Sequence, residues 1–410
     1  MRILFLSNYR FTSDVGCGTG TWIEAMGRGL VRRGIQLANV TVGSSCCKCH
    51  ADQSVEQWLI PAAWMFNAAN PHREYFDRID EICQSFRPDI LHIWGHEVPW
   101  GMFSADRKLP FPALLEMQGV KSAMAKYMNG ALTVGEQMKC VGIKEFLRPR
   151  ISMWSTTRRY LAYRAVEDRI VAGHRYIDYQ SDWILACLGD VKEKVLNKVR
   201  MSLKPEYLQC STWKPTSGNH KIFTNCGVSP NKGLLVLIRA MKLLKGRYPD
   251  ISLTVAGTFK SGLRRSGYER FVRREIECGG LAGHVHFTGS LSASEQIGRL
   301  QTCAVAVIPS LVESYSMSLA EAMAVGCPCV VSYAGAMPEV AIPERDALFF
   351  PIADCEMCAY QIDRLFQSPE LSAKLGGQAE KNSRAKHDPA LAVDRQLEIY
   401  DSIIRDFRKC

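Results

Sequence analysis

The sequence predicts an α/β protein made of two doubly wound parallel-sheet units. Three observations predict it. The chain has 410 residues, enough for about two domains at roughly 100–200 residues each. Short apolar runs alternate with helical-period stretches, as in a parallel sheet covered on both faces. The alternation stops at the polar stretch Lys214-Pro215-Thr216-Ser217-Gly218-Asn219 and then restarts, which puts a boundary at 215/216.

In the first unit, Ile3–Leu6 reads as a buried strand. Trp22–Arg33 reads as a helix, with Trp22, Ile23, Met26, Leu30 and Val31 spaced near 3.6 and Gly34 closing it. Gln36–Val42 is strand-like, Tyr75–Phe86 is a helix ended by Arg87-Pro88, and Ile90–Trp94 and Ala113–Met117 are strands. Val120–Leu147 and Ile151–Arg169 read as mostly helical, with a short strand at Tyr176–Tyr179. The second unit reads strand Lys221–Asn225, helix Gly233–Lys245, strand Ser252–Ala256, helix Tyr268–Cys278, strand His284–Phe287 and helix Ser292–Thr302. Strand Ala304–Ile308, helix Met317–Val325 and strand Cys329–Ser332 follow. Open sheets of this kind bind ligands at the carboxyl ends of their strands, so two of them predict a central cleft.

Composition narrows the class. Apolar content of 47% and charged content of 22% are those of a soluble globular chain. No run of about 18 apolar residues occurs, so no spanning helix is expected. Met1-Arg2 leads at once into Ile3–Leu6, which is too short for a signal-peptide core. With 16 cysteines scattered through the elements, reduced thiols and a cytoplasmic setting are expected. Cys46-Cys47-Lys48-Cys49-His50 lacks a second pair at zinc spacing and reads as a loop; Cys355 and Cys358 lack a redox context. No metal is expected. The net charge of +10 concentrates in 121–175, with 11 Lys and Arg against 4 Asp and Glu. Aromatics are interleaved there, which suits either a solvated face or an anionic membrane surface better than nucleic acid.

Chemistry centres on Val307–Glu339, where an apolar strand runs into Pro309-Ser310, a Ser-rich turn and a helix. Glu313 and Glu321 flank the turn. On a continuous helix they would lie about 12 Å apart along the axis, too far for the roughly 5 Å of a retaining glycosidase pair. They suit two parts of one elongated polar ligand, with the free N–H groups of the helix start holding a diphosphate between. They also suit an ordinary helix start capped by Ser316. Ser229-Pro230-Asn231-Lys232-Gly233 is a second strand-to-helix turn, whose lysine can neutralise a phosphate. Gly16-Cys17-Gly18-Thr19-Gly20 lacks the dinucleotide spacing G-x-G-x-x-G but can present backbone amides. His96 and Gln118 fall at strand ends. No Asp-x-Asp pair, G-x-S-x-G elbow or phosphate-binding P-loop is present.

Glu313-Ser-Tyr-Ser-Met-Ser-Leu-Ala-Glu321, Lys232-Gly233, Pro88-Asp89-Ile90-Leu91-His92 and Gly335 to Glu339 together resemble the retaining glycosyltransferases of family four, which have the GT-B fold. The resemblance implies two Rossmann-like domains facing a cleft. The first, 1–215, would bind the acceptor and be joined by a crossing helix near 390–410. The second, 216–389, would bind the donor. Glu313 would orient the donor sugar, Lys232 would neutralise the leaving diphosphate, and Glu321 would hold the ribose. Ser316, Met317, Ser318, Leu319, Gly227 and Asn231 would line the donor site. Gly16, Gly18, Gly20, Gln118 and His96 would face the acceptor or phosphate. The family usually has arginine where this chain has Gly227, and His-Gly where it has Gln118-Gly119. The expected function is metal-independent, retaining transfer from a UDP- or GDP-sugar to a glycan or lipid-linked acceptor in cell-surface polysaccharide synthesis, without a cofactor. The expected setting is cytoplasmic, with peripheral contact at the inner membrane face through 121–175. The departures keep open a non-catalytic sugar-nucleotide-binding subunit. A related epimerase or phosphorylase is the other alternative.

Overall fold

In a computed structural model, which describes residues 1–11, 20–50, 55–61, 72–96, 98–259 and 266–409, the chain forms two parallel sheets. The first has eight strands: β1 Arg2–Leu6, β2 Gln36–Gly43, β3 Cys47–His50, β4 Val55–Pro61, β5 Ile90–Trp94, β6 Ala113–Glu116, β7 Tyr176–Tyr179 and β8 Val195–Lys198. Their order is β3-β4-β2-β1-β5-β6-β7-β8, and all pairs are parallel except β3 with β4. The second sheet has six: β9 Lys221–Thr224, β10 Ser252–Ala256, β11 Val285–Gly289, β12 Val305–Ile308, β13 Cys329–Ser332 and β14 Leu348–Phe350. Their order is β11-β10-β9-β12-β13-β14, parallel throughout. Central strands such as β12 and β13 are buried along their whole length, as a sheet covered on both faces requires.

The expected alternation is present, with further strands at β3, β4, β8 and β14. The Cys46–His50 stretch is not wholly a loop: Cys47–His50 is the edge strand β3. Its alternation is hidden because its pairing partner carries the apolar residues. Lys48 pairs with Trp58, lies over that ring at 4.8 Å, and bridges Glu56 at 2.6 Å. A charged edge of this kind discourages further pairing. Strands β8 and β14, of four and three residues, are too short for periodicity to reveal.

Contacts divide the chain into two units, which differ from a cut at 215/216. The first comprises 1–121, 162–204 and 387–410; the second comprises 122–161 and 205–386. Residues 205–215 belong to the second unit because Trp213 is buried there. Its Nε1 donates to the Cys303 carbonyl at 2.7 Å and its backbone N–H to the Val325 carbonyl at 2.8 Å. Residues 122–161 are held there by two glutamates. Glu136 pairs with Arg239 and Glu145 with Arg270, each at 2.5 Å.

Within the first unit, the helix Pro389–Phe407 packs on the sheet. Tyr400 Oη lies 2.6 Å from His92 Nδ1, and Gln396 donates to Asp178 at 2.9 Å. His92, Glu116 and Asp178 stand on the neighbouring strands β5, β6 and β7, each offering an atom within 4.8 Å of the others. Both carboxyls are hydrogen-bonded: Gln118 and Gln180 donate to Glu116, and Asn197 donates to Asp178. His92 Nε2 is buried without a hydrogen bond, 3.2 Å from Glu116.

This network sets a pH dependence. Burial raises Glu116 to about 8 and Asp178 to about 7. Each carboxyl keeps its proton in the folded chain where the unfolded chain has released it. Their stabilising contribution is full below the ordinary carboxylate range and is lost as pH rises. Burial lowers His92 to about 4, so its contribution grows with pH and is complete above its ordinary 6.5. Between pH 6.5 and about 8 only the carboxyls act. The melting temperature of this unit should therefore fall across that window, and Asp178→Asn should flatten the slope. Thermal melts over a pH series check this.

Candidate functional site

The second unit gathers the residues expected on the donor side where strands β9 and β12 end. After β12, the chain passes through Pro309 and Ser310 to Glu313 and then enters the helix Met317–Ala324. Ser316 caps this helix in a left-handed conformation, φ 87°, with its hydroxyl accepting from the Leu319 N–H at 3.4 Å. A non-glycine residue rarely adopts such a φ, and strain of this sort concentrates at ligand-binding sites. After β9, the turn Pro230–Lys232 leads through Gly233 into the helix Leu234–Leu244.

Two glycines fix these turns together. Gly233 has φ 69°, and a Cβ there would lie 1.9 Å from the Pro309 carbonyl oxygen. Gly335 has φ 53°, and a Cβ there would lie 2.0 Å from the Glu313 carbonyl oxygen. Neither position admits a side chain. The first sets the Lys232 turn against the end of β12. The second backs Glu313, whose carbonyl accepts from the Ala336 N–H at 3.0 Å. Asn231 ties the turns again, its carbonyl accepting from the Leu311 N–H at 2.8 Å.

Lys232 and Glu313 therefore meet. Lys232 Nζ donates to Glu313 Oε1 at 2.7 Å, and Ser310 Oγ donates to the same oxygen at 2.7 Å. The lysine side chain is 36% exposed and the glutamate 13%. Burial works against the lysine's charge, but the charge and hydrogen bond of Glu313 outweigh it and raise the ammonium pKa. An ammonium has three donors, so Lys232 can keep Glu313 and still donate to an anion. Both of these bonds fall on Oε1, which leaves Oε2 to accept from a hydroxyl.

Glu321, one helical stretch on, is nearly buried. Gln296 Nε2 donates to its Oε2 at 2.7 Å, and Asn225 Nδ2 donates to Gln296 Oε1 at 3.0 Å. Ser318 Oγ donates to the Asn225 carbonyl at 3.3 Å. Gln296 and Ser310 were not among the expected site residues. Nothing around Gln296 distinguishes it in sequence; Ser310 stands in a stretch already singled out. Gly227 follows β9 in a loop, and space for a Cβ there is open.

The first unit holds the other expected residues. Gly16 and Gly18 lie outside the described residues. Gly20 is the N-cap of the helix Thr21–Arg32, with φ 98° and room for a Cβ limited by Tyr9 at 3.0 Å. Gln118 spends its amide on Glu116 at 3.0 Å. His96 is buried, 3.7 Å from Glu167, and held down to about 3 by burial and then by the charges of Lys121 and Arg164. A neutral imidazole follows at physiological pH.

Two parallel α/β units of this topology make a GT-B protein. Its whole-chain likeness to solved structures agrees: sucrose-phosphate synthase from Thermosynechococcus elongatus superposes with a TM-score of 0.75 at 16% identity, covering 99% of each chain. The Anabaena protein HepE in complex with UDP-glucose superposes with a TM-score of 0.66 at 13% identity, covering all of both chains. Residues 216–382 match the family described as glycosyl transferases group 1. Among curated relatives, phosphatidyl-myo-inositol mannosyltransferase of Mycolicibacterium smegmatis is 23% identical over 241 residues, 58% of this chain and 59% of the relative. The chain spans between about a third and three fifths of the length of the first curated relatives it matches.

Proposed function

We propose that this chain is a metal-independent glycosyltransferase that moves a sugar from a nucleotide-diphosphate-sugar to a glycan or lipid-linked acceptor, with retention at the anomeric carbon. The observation that carries it is the Lys232–Glu313 pair at the start of the helix Met317–Ala324. The group 1 family match over 216–382 supports transfer chemistry. The likeness to a protein solved with UDP-glucose supports a UDP-sugar among the donors to be tried first, and the phosphatidyl-inositol relative supports a lipid-linked acceptor.

In this reading the donor diphosphate lies against Lys232 and the N–H groups of Met317 and Ser318. As the anomeric carbon–oxygen bond breaks, negative charge grows on the leaving phosphate, and Lys232 and the helix start stabilise it. The acceptor oxygen bonds to the anomeric carbon on the same face. Its proton passes to the departing phosphate, which balances the step without a metal. Glu313 accepts from a donor-sugar hydroxyl, and Glu321, oriented by Gln296, accepts from the ribose hydroxyls. Cell-surface polysaccharide synthesis at the cytoplasmic side is the setting this chemistry suits.

Glu321→Ala should weaken nucleotide binding about ten- to hundredfold, the worth of charge-assisted hydrogen bonds. Calorimetric titration with UDP and GDP checks it. Unchanged affinity would remove Glu321 from the site. Transfer itself is tested by incubating the chain with nucleotide sugars and lipid or glycan acceptors and resolving the anomeric configuration of the product.

Gly227 supports a second reading. It places no cation where the family usually has arginine, so the chain would hold a sugar nucleotide without turning it over. Donor binding with no product from any acceptor would favour it.

A further inference from the structure

Residues 134–161 of the second unit are built inside out. The helix Ile143–Leu147 turns its one acid inward: Glu145 is 5% exposed, accepts from the Gly267 N–H at 3.0 Å, and pairs with Arg270. Its apolar residues face outward, Ile143 81% exposed, Phe146 77% and Leu147 71%. The preceding helix, Val134–Lys139, repeats the arrangement. Glu136 reaches in to Arg239, and Val134 and Met138 are exposed. A surface helix ordinarily does the reverse. Leaving this many large apolar side chains of one segment in water is costly, and monomeric proteins keep such surface for partners.

The charge of the segment identifies the partner. Glu136 and Glu145 are its only acids, and both are turned inward. Lys139, Arg148, Arg150 and Arg158 are exposed and have no ion-pair partner among the described residues. Trp154 stands among them, half-exposed, its indole N–H on Gln137 at 2.7 Å. Such a ring is apolar in body and polar at its tip, as at membrane interfaces. A cavity of about 150 Å³ opens between the same segment and the 266–268 turn, lined by Val141, Ile151 and Trp154. Outward apolar side chains, cations without counter-ions and a half-exposed tryptophan on one segment match a lipid surface with anionic headgroups.

We propose that the 134–161 face of the second unit docks on anionic lipid membranes, with Ile143, Phe146 and Leu147 entering the headgroup boundary and Lys139, Arg148, Arg150 and Arg158 meeting the headgroups. It narrows the broad basic stretch 121–175 to one face and adds the apolar side chains that do the inserting. It does not rest on the transfer reaction.

Flotation of the full chain with phosphatidylcholine vesicles, with and without phosphatidylserine, tests it. The chain should bind phosphatidylserine vesicles at least about tenfold better, since each cation near such a surface adds a substantial factor, and added salt should weaken binding. Arg148→Glu with Arg150→Glu should abolish the preference. Phe146→Ser with Leu147→Ser should lower binding about tenfold or more. All four side chains are exposed, so melting temperature and nucleotide-sugar affinity should stay at the unsubstituted values, which separates failed docking from a failed donor site. No flotation of the unsubstituted chain, or flotation of both variants equal to that of the unsubstituted chain, would overturn the proposal. So would self-association that the Phe146/Leu147 variant removes without any vesicle binding, which would assign the face to a second copy.

Discussion

Lys232→Ala is expected to lower the turnover of the proposed sugar transfer by about 10²–10³-fold, the effect of losing one preorganised charge stabiliser in an active site. The loss should fall on kcat more than on KM. Charge on the leaving diphosphate grows in the transition state, so the interaction is stronger there than with the bound donor. Two effects add. The diphosphate loses its cation, and Glu313, 13% exposed, loses its ion-pair partner and is left with the Ser310 hydroxyl. An uncompensated carboxylate beside a phosphate repels it. Lys232→Arg should not restore the rate, because a planar guanidinium does not replace a compact ammonium held by one carboxylate oxygen. If the pair were only structural, Lys232→Ala would lower the melting temperature and leave kcat near its original value. Steady-state kinetics beside thermal melts separate the two outcomes.

The second large effect is on stability. Gly335→Ala and Gly233→Ala should each cost about 3–5 kcal/mol, the range of backbone strain at positive φ combined with overpacking. The obstacle in each case is a backbone carbonyl, 2.0 Å and 1.9 Å from the added carbon. No side-chain rotation relieves it. For a unit of this size the melting temperature should drop by roughly 10 °C or more. Gly227→Ala is the control. Its added carbon meets nothing within 4 Å, so its melting temperature should move by no more than about half a kcal/mol's worth. Equal effects at all three positions would mean that the turns adapt and that the glycines do not lock Glu313 and Lys232 in place. Chemical denaturation of the three variants reads the difference.

Much of the site was legible because it is local. Glu313, Ser316 and Glu321 lie on one strand–turn–helix unit, and the family spacing fixes their neighbourhood before any fold is known. That Lys232 would touch Glu313 was less legible, since 81 residues separate them. It follows from β9 and β12 being sheet neighbours, a pairing that alternation alone does not specify. Gln296 was not legible at all: its role comes from a helix that happens to face Glu321. The division of the chain differs from a cut at 215/216 for a similar reason. The helical character of 122–161 shows in its sequence, but the unit it joins is decided by Glu136–Arg239 and Glu145–Arg270, contacts 103 and 125 residues apart. Short strands such as β14 carry too few residues for a period and are revealed by their neighbours. His96 and Gln118 fell at strand ends as expected, yet the structure spends Gln118 on Glu116 and buries His96 as a neutral ring. Strand-end position alone does not distinguish a ligand contact from internal support.

The central claim is that Lys232, Glu313 and Glu321 together hold a nucleotide-diphosphate-sugar. The most direct measurement is calorimetric titration of the purified chain with a panel of UDP- and GDP-sugars, repeated with Lys232→Ala and Glu321→Ala. The account predicts saturable binding of at least one member, weakened about tenfold or more in each variant. Absence of binding across the whole panel, or binding with the same affinity in both variants, would contradict it.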